Sequence, residues 1–442
     1  MSAHYITLAD VDQTSIKITV KYYDKTEEGK FDKYPTATNI KQMVTNGIDI
    51  TISEFLTYFL FHRLRVNKPG WRNYDAIGAH INTALNYLNG WIEFNGDSIS
   101  LSTDIDKKQP KDITEHIGES IGLSLVNSLH GLTAADWTKI PEDNKISTFD
   151  YQIASDGERI IQLEAKGSAS FDNTEKTTSV SAHKKSIHNK KENISNTAGY
   201  NYPANIRYGT ITVVGTDKKT PAKCLFVDPE ASEIGDPKRI KIIKRMQYLK
   251  KWISLISPTS QFSAALNTRA NDLLYMKDPY SLNNVPLSKG DGTKFSYEPR
   301  YRHHNEYSSF FSSKSQIADG DTGGVVIRLD ENNIGFIGIN QKLVEIAANQ
   351  NFNELIEYKT KSMSSYNKIN CIISKKRLNT LLLPENVVNS IKRGYKKRDY
   401  IAYEGTGENN KVAHHTFDVT GRMFNNDCGL TFGILPIKNI DV

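Results

Sequence analysis

Residues 147–167 read STFDYQIASDGERIIQLEAKG. Two runs with β-branched and apolar content, 147–154 and 159–167, flank Ser155-Asp156-Gly157-Glu158, a turn with hairpin chemistry. On a strand, side chains two apart share a face. Glu164 and Lys166 therefore point the same way, Ala165 turns into the core, and the hairpin folds Asp150 back beside the pair. The strand leading to them, Ile160-Ile161-Gln162-Leu163, is otherwise apolar. Burying two carboxylates and an ammonium there merely for stability is unfavourable, because desolvating charge is rarely offset by pairing it. A divalent cation changes the balance. Mg²⁺ takes hard oxygen ligands in an octahedron and keeps several waters, so two carboxylates, a backbone carbonyl and a phosphate oxygen suit it. A metal-bound water with a lysine beside it is an attacking group for phosphodiester hydrolysis.

Working outward, helix and strand patterns alternate from 112 to 257. Ile117, Ile121, Leu125 and Leu129 line one face of a helix over 113–129. A basic helix over 181–195 follows the hairpin, then strands at 208–214 and 223–228 and a second basic helix over 240–256. Upstream, 5–8 and 16–23 predict a hairpin. Ser53 stands as N-cap of an apolar helix reaching Val66, and Ala76, Ile77, Ile81, Leu85 and Leu88 recur at helical spacing. The polar stretch 95–111 predicts a linker. Past Pro258 the pattern weakens: 271–307 is turn-rich, 324–339 predicts a hairpin around Asp330-Glu331-Asn332-Asn333, and 341–348 a helix. There is no internal repeat and no low-complexity tract.

The arrangement resembles the PD-(D/E)XK nuclease superfamily, with its restriction-endonuclease-like fold. The likeness rests on Asp150, thirteen intervening residues, then Glu164-Ala165-Lys166, and on Glu119 in the preceding helix; it spans about 112–228. Phe149 stands where the family name has Pro. The resemblance implies Asp150 and Glu164 as metal ligands, Lys166 as the catalytic lysine, the Ala165 carbonyl as a further ligand, and Glu119 as a second-metal or water-mediated one. It implies Mg²⁺, with Mn²⁺ able to substitute. It also implies a polar residue from the following helix, for which His183, Lys184, His188 and Lys191 are open choices. The expected fold is α/β: a central mixed sheet flanked by helices over 106–260, with accessory α+β regions at 1–105 and 261–442.

At 442 residues the chain is long enough for two or three domains, taking roughly 150 residues each. Aromatic residues at 10% exclude disorder throughout. The most apolar window, 55–64, is broken by His62 and Arg63 and is too short for the ~20 residues a bilayer demands. Cys224, Cys371 and Cys428 are odd in number and far apart, against a disulfide scaffold or zinc ribbon. The N-terminus lacks a basic segment followed by an apolar one, so a cytoplasmic location is expected.

The net charge of +6 is unevenly spread: over 176–251, 16 Lys and Arg face 6 Asp and Glu. Lys184, Lys185, Lys190 and Lys191 on one helix, and Lys241, Lys244 and Arg245 on the next, predict a phosphate-facing surface, the alternative being an ordinary solvated helix face. A second basic stretch, Lys375-Lys376-Arg377, Lys392-Arg393 and Lys396-Lys397-Arg398 with Tyr395 and Tyr400, offers a further DNA-facing surface. Rival sites are weaker. Arg302-His303-His304 and His414-His415 lack a zinc spacing. Gly320-Asp321-Thr322-Gly323-Gly324 has no following Lys-Ser/Thr and predicts a turn before a strand. The expectation is a Mg²⁺-dependent endonuclease acting on double-stranded DNA in restriction or anti-phage defence, as a homodimer or larger assembly. The alternatives are a non-cutting DNA-binding or scaffold subunit and an RNase.

Overall fold

The computed structural model describes residues 14–64, 74–102, 111–140, 152–170, 175–197, 202–218, 221–227, 235–258, 260–295, 313–317, 320–393 and 414–441. The protein is α/β and forms two compact units, one from 11–63 with 84–244, the other from 1–10, 64–83 and 245–442. Two of the boundaries between them, at 83–84 and 244–245, fall inside helices.

In the first unit the elements run β1 (Ser15–Tyr22), α1 (Lys25–Phe31), α2 (Ala37–Asn46), β2 (Ile48–Thr51), α3 (Ile52–Phe61), α4 (Tyr74–Trp91), β3 (Ile92–Asn95) and β4 (Ser98–Leu101). Then come α5 (Lys111–His130), β5 (Thr138–Lys139), β6 (Gln152–Ser155), β7 (Ile160–Ser170), α6 (Thr178–Ser195), β8 (Ile206–Gly215), β9 (Lys223–Val227) and α7 (Pro237–Ile256). The seven-stranded sheet has the order β2-β1-β9-β8-β7-β6-β5. It is mixed: β7 runs parallel to β8 and β1 parallel to β9, while β6–β7 and β8–β9 are antiparallel.

The α5 register matches the expected helix, with Ile117, Ile121 and Leu125 buried. Three expectations change. The N-cap of α3 is Thr51, whose hydroxyl accepts from the Glu54 amide at 3.2 Å; Ser53 lies inside the helix and is buried. Thr51 is extended, as a cap must be, and Glu54 three residues on completes the helix-start pattern. The stretch expected as a linker holds β4, all four residues buried, paired to β3 through a turn at Gly96 with φ +61°. Finally, the described partners of β1 are the distant strands β2 and β9. The segment 5–8, expected to pair with it, lies outside the described residues.

The second unit adds α8 (Gln261–Tyr275), a helix where the sequence pattern fades. It continues with β10 (Ser313–Ile317), β11 (Gly320–Arg328), β12 (Asn333–Asn340), α9 (Gln341–Ala348), α10 (Phe352–Glu357), β13 (Met363–Ser374), α11 (Lys375–Thr380), α12 (Glu385–Arg393), β14 (His414–Asn425), β15 (Leu430–Pro436) and β16 (Ile440–Asp441). The expected hairpin around Asp330 is β11–β12, where the Asp330 carboxylate accepts from the Asn332 and Asn333 amides. Gly320–Gly324, expected as a turn, lies within β11 and pairs on both sides. The order β13-β10-β11-β12-β15-β14, with a further β13–β14 pairing, closes six antiparallel strands into a ring around Val326, Phe336, Ile369, Phe417 and Met423. Among the described residues no helix is long and apolar enough to cross a membrane.

Candidate active site

Strand β7 is held between two helices, and its alternation assigns each side chain to one of them. Helix α5 lies against the Ala165 face almost backbone to backbone. A Cβ on Gly167 would fall 1.7 Å from the Thr114 carbonyl oxygen, and one on Gly118 would fall 2.5 Å from the Gly167 nitrogen. Ala165 therefore faces α5, as expected. Glu164 and Lys166 face α6, where Gly209 stands opposite Glu164 on β8 and Ile187 of α6 approaches that glycine.

Glu164 is fully buried. Its Oε1 accepts from two ammoniums, Lys166 Nζ at 2.7 Å and Lys190 Nζ at 2.6 Å, whose side chains are 18% and 11% exposed. Its Oε2 is buried and has no hydrogen-bond partner. A buried carboxylate oxygen without a donor is costly, by about 1–3 kcal/mol or more for a charged group, and is the kind of atom a cation satisfies. The described part of β6 begins with Gln152 opposite Leu163, so past Leu163 one edge of β7 has no described partner strand. Gln152 is on the Leu163 and Ala165 face, and both of its amide atoms are buried without partners.

Lys190 was not among the choices for a polar residue from this helix. The apolar residues Val180, Ile187 and Ile194, buried at intervals of seven, mark the inward face of α6. Positions three and four after Ile187 share that face, which places Lys190 at Glu164 and Lys191 at the Arg207 carbonyl, 2.7 Å away. The other choices lie elsewhere. Lys184 pairs with Asp24 at 2.8 Å and Glu27 at 3.0 Å, and His188 lies 3.3 Å from Glu27. His183 lies 3.4 Å from the Ser179 hydroxyl.

Glu119 is not brought to Glu164. It belongs to α5, on the other side of the sheet, and its carboxylate accepts from Arg63 Nε at 2.9 Å and Nη2 at 3.3 Å. Burial pushes this carboxyl up, but the charges of His62 and Arg63 outweigh it and hold the group below its ordinary value. Asp150 lies outside the described residues, as do His303, His304, Tyr395, Tyr400 and Lys396–Arg398. Among the described residues no group of three or more His, Cys, Asp or Glu side chains is placed to hold a metal ion.

Of the seven cations expected to face phosphate, Lys185 is the exposed one. Lys241 donates to the Asp156 carbonyl, and Arg245 donates to the Leu355 and Tyr358 carbonyls. Lys244 is half-buried, and burial pushes its ammonium down to about 8. Lys184, Lys190 and Lys191 make the contacts given above.

A second polar network anchors the hairpin turn. Asp156 Oδ1 accepts from the Glu158 and Arg159 amides at 2.8 and 2.6 Å. Its Oδ2 accepts from His130 Nδ1 at 3.2 Å, at the end of α5. In the neutral imidazole this leaves Nε2 to accept from the Tyr208 hydroxyl, 2.9 Å away, which also lies 3.3 Å from the Thr36 hydroxyl. Burial raises the Asp156 carboxyl, but the His130 and backbone hydrogen bonds prevail and hold it below its ordinary value.

Comparison with known proteins finds no matching family model, no matching curated protein and no matching solved structure.

Proposed function

We propose that this protein is a metal-dependent phosphodiester hydrolase, an endonuclease acting on DNA, with a restriction-endonuclease-like domain around β7. The observation that carries this reading is the fully buried Glu164, with Oε2 open and Lys166 on the same strand face. The order helix, antiparallel hairpin, helix, parallel strand from α5 to β8 supports it.

Glu164 would hold a hard divalent cation through Oε2, and the resemblance adds the Ala165 carbonyl and Asp150 as the oxygen ligands that would complete the set. Such a cation, Mg²⁺ or Mn²⁺, supplies charge for the phosphate oxygens and acidifies a bound water. Lys166 keeps an ammonium at the rim of the site, where it orients the attacking water or meets the charge growing on phosphate. Cutting both strands calls for two such sites, hence a dimer or larger assembly. Restriction or anti-phage defence is the biological setting the reading favours.

The test is incubation of the purified chain with supercoiled plasmid, with and without Mg²⁺ and Mn²⁺. Cleavage should require metal and disappear in Glu164→Gln, Lys166→Met and Asp150→Asn. Unchanged cleavage in Glu164→Gln would falsify the assignment. One observation favours a second reading, a non-cutting DNA-binding relative: two lysines, from β7 and α6, already hold the Glu164 carboxylate. That reading expects nucleic-acid binding with no metal-dependent cutting and no metal uptake.

A further inference from the structure

The second unit turns one leucine out of its core at a strained backbone position. Helices α11 and α12 are joined by Leu381-Leu382-Leu383-Pro384. Leu381 and Leu383 are buried in the core of the strand ring, with Leu378 before them and Ile391 after. Leu382, between them, is 67% exposed and has φ +46°, the one aliphatic side chain at positive φ among the described residues. Its amide donates to the Asn379 carbonyl at 3.3 Å, so it stands where a helix end ordinarily carries glycine. A β-carbon is disfavoured in that conformation, and a side chain so exposed gains little from packing. Neither the backbone nor the core accounts for a leucine there. Strain held in place by well-packed neighbours is characteristic of functional positions.

The surroundings are cationic. The Arg328 guanidinium donates to the Leu382 carbonyl at 3.0 Å. Helix α11 opens on Lys375-Lys376-Arg377, and α12 closes on Lys392 and Arg393, both exposed. Glu385 is the one acid over 375–393. Such a segment complements phosphate. A single leucine whose neighbours face inward offers too little apolar surface to hold a bilayer. It is the kind of side chain that enters a step between stacked base pairs. We infer that Leu382 is a wedge: on a DNA duplex seated against the flanking cations, it enters and partly unstacks one base step. This inference rests on the reading of the protein as acting on DNA. The buried Leu381 and Leu383 hold the wedge in place beforehand, so little ordering is left for binding.

The test is titration of the full chain, in EDTA, into a short duplex carrying 2-aminopurine at a central TA step, a kind of step that unstacks readily. Anisotropy of a second dye reports binding, and urea denaturation reports folding. The unmodified chain should bind and brighten the 2-aminopurine. Leu382→Gly and Leu382→Asn, both suited to positive φ, should unfold at the same urea concentration or higher. Both should lose the brightening and bind about tenfold more weakly, as expected when one leucine loses its burial. Leu382→Met should keep both signals. Binding without brightening in the unmodified chain, or full brightening and affinity in both Leu382→Gly and Leu382→Asn, overturns the wedge and leaves the nuclease reading standing. A lower urea midpoint in both variants also overturns it, because the leucine then serves the fold. Weaker binding of these variants to phosphatidylserine vesicles, with DNA binding intact, overturns it in favour of a lipid surface. No DNA binding by the unmodified chain overturns the wedge and the DNA reading together.

Discussion

Arg63 and Glu119 hold each other through two hydrogen bonds, at 2.9 and 3.3 Å, on the side of the sheet away from Glu164. Arg63 also reaches Glu115 at 2.8 Å, so one guanidinium ties the end of α3 to two acids on successive turns of α5. Glu119→Gln should therefore leave plasmid cleavage unchanged and lower stability. Weakening one of the two acid contacts of this guanidinium, with Glu115 still in place, costs about 0.5–1.5 kcal/mol, measured by urea denaturation. Loss of cleavage in a folded Glu119→Gln protein would instead return this residue to the metal site.

Asp156 predicts an acid limb. Its folded-state carboxyl titrates below the ordinary 3.8, so the unfolded chain takes up the proton first. The stability this carboxylate adds is present above 3.8 and drains away as pH falls through its lower folded value. Asp156→Asn should flatten that limb in thermal melts below pH 4 while lowering stability at pH 7. His130→Ala should lower stability at pH 7 as well, since it removes one hydrogen bond from the Asp156 carboxylate and one from the Tyr208 hydroxyl.

The α5–β7 contact separates two kinds of glycine. Gly167→Ala drives a methyl into the Thr114 carbonyl, and the backbones must part. Overpacking of this kind costs about 1–3 kcal/mol and often more. Gly29, inside α1, has nothing within 4 Å of its missing Cβ. Gly29→Ala should stabilise the protein by about 0.5–1 kcal/mol, because alanine is the better helix residue. Paired chemical denaturation curves should move in opposite directions.

If DNA runs along α6, Lys185 is the lysine of that helix whose loss the salt dependence should register. Lys185→Ala should weaken DNA binding at low salt and reduce the slope of log affinity against log salt by about one. Lys241→Ala, which removes a donor to the Asp156 carbonyl, should lower stability and leave that slope unchanged. Fluorescence anisotropy across a salt series checks both.

The periodic elements from α5 to α7, the β11–β12 hairpin and α9 were legible because each is defined by local alternation, helical spacing or turn residues. The Glu164–Lys166 face was legible for the same reason. What escaped was decided elsewhere in the chain. Val20 meets Cys224 in a parallel pairing that neither segment encodes by itself. Ser98 and Ser100 made β4 look like linker, yet both are buried. Basic residues on α6 and α7 suggested a solvent-facing charge surface, but Lys191, Lys241 and Arg245 have their donors turned to carbonyls inside the protein. Composition counts a cation without showing where its nitrogen ends.

The ring formed by β10 to β15 commits each of its six strands to a neighbour on both sides, with β13 joined to β14 at the seam. The closure is shortest at β10, where, among the described residues, only Ser313 and Lys314 pair with β13. The ring thus offers an intruding chain less open ladder than a flat sheet of six strands would, which guards against strand exchange between copies and against fibrillar stacking. Trimming the last two residues, 441–442, should leave that enclosure whole, whereas deleting 414–425 would unseal it and expose two raw edges at once.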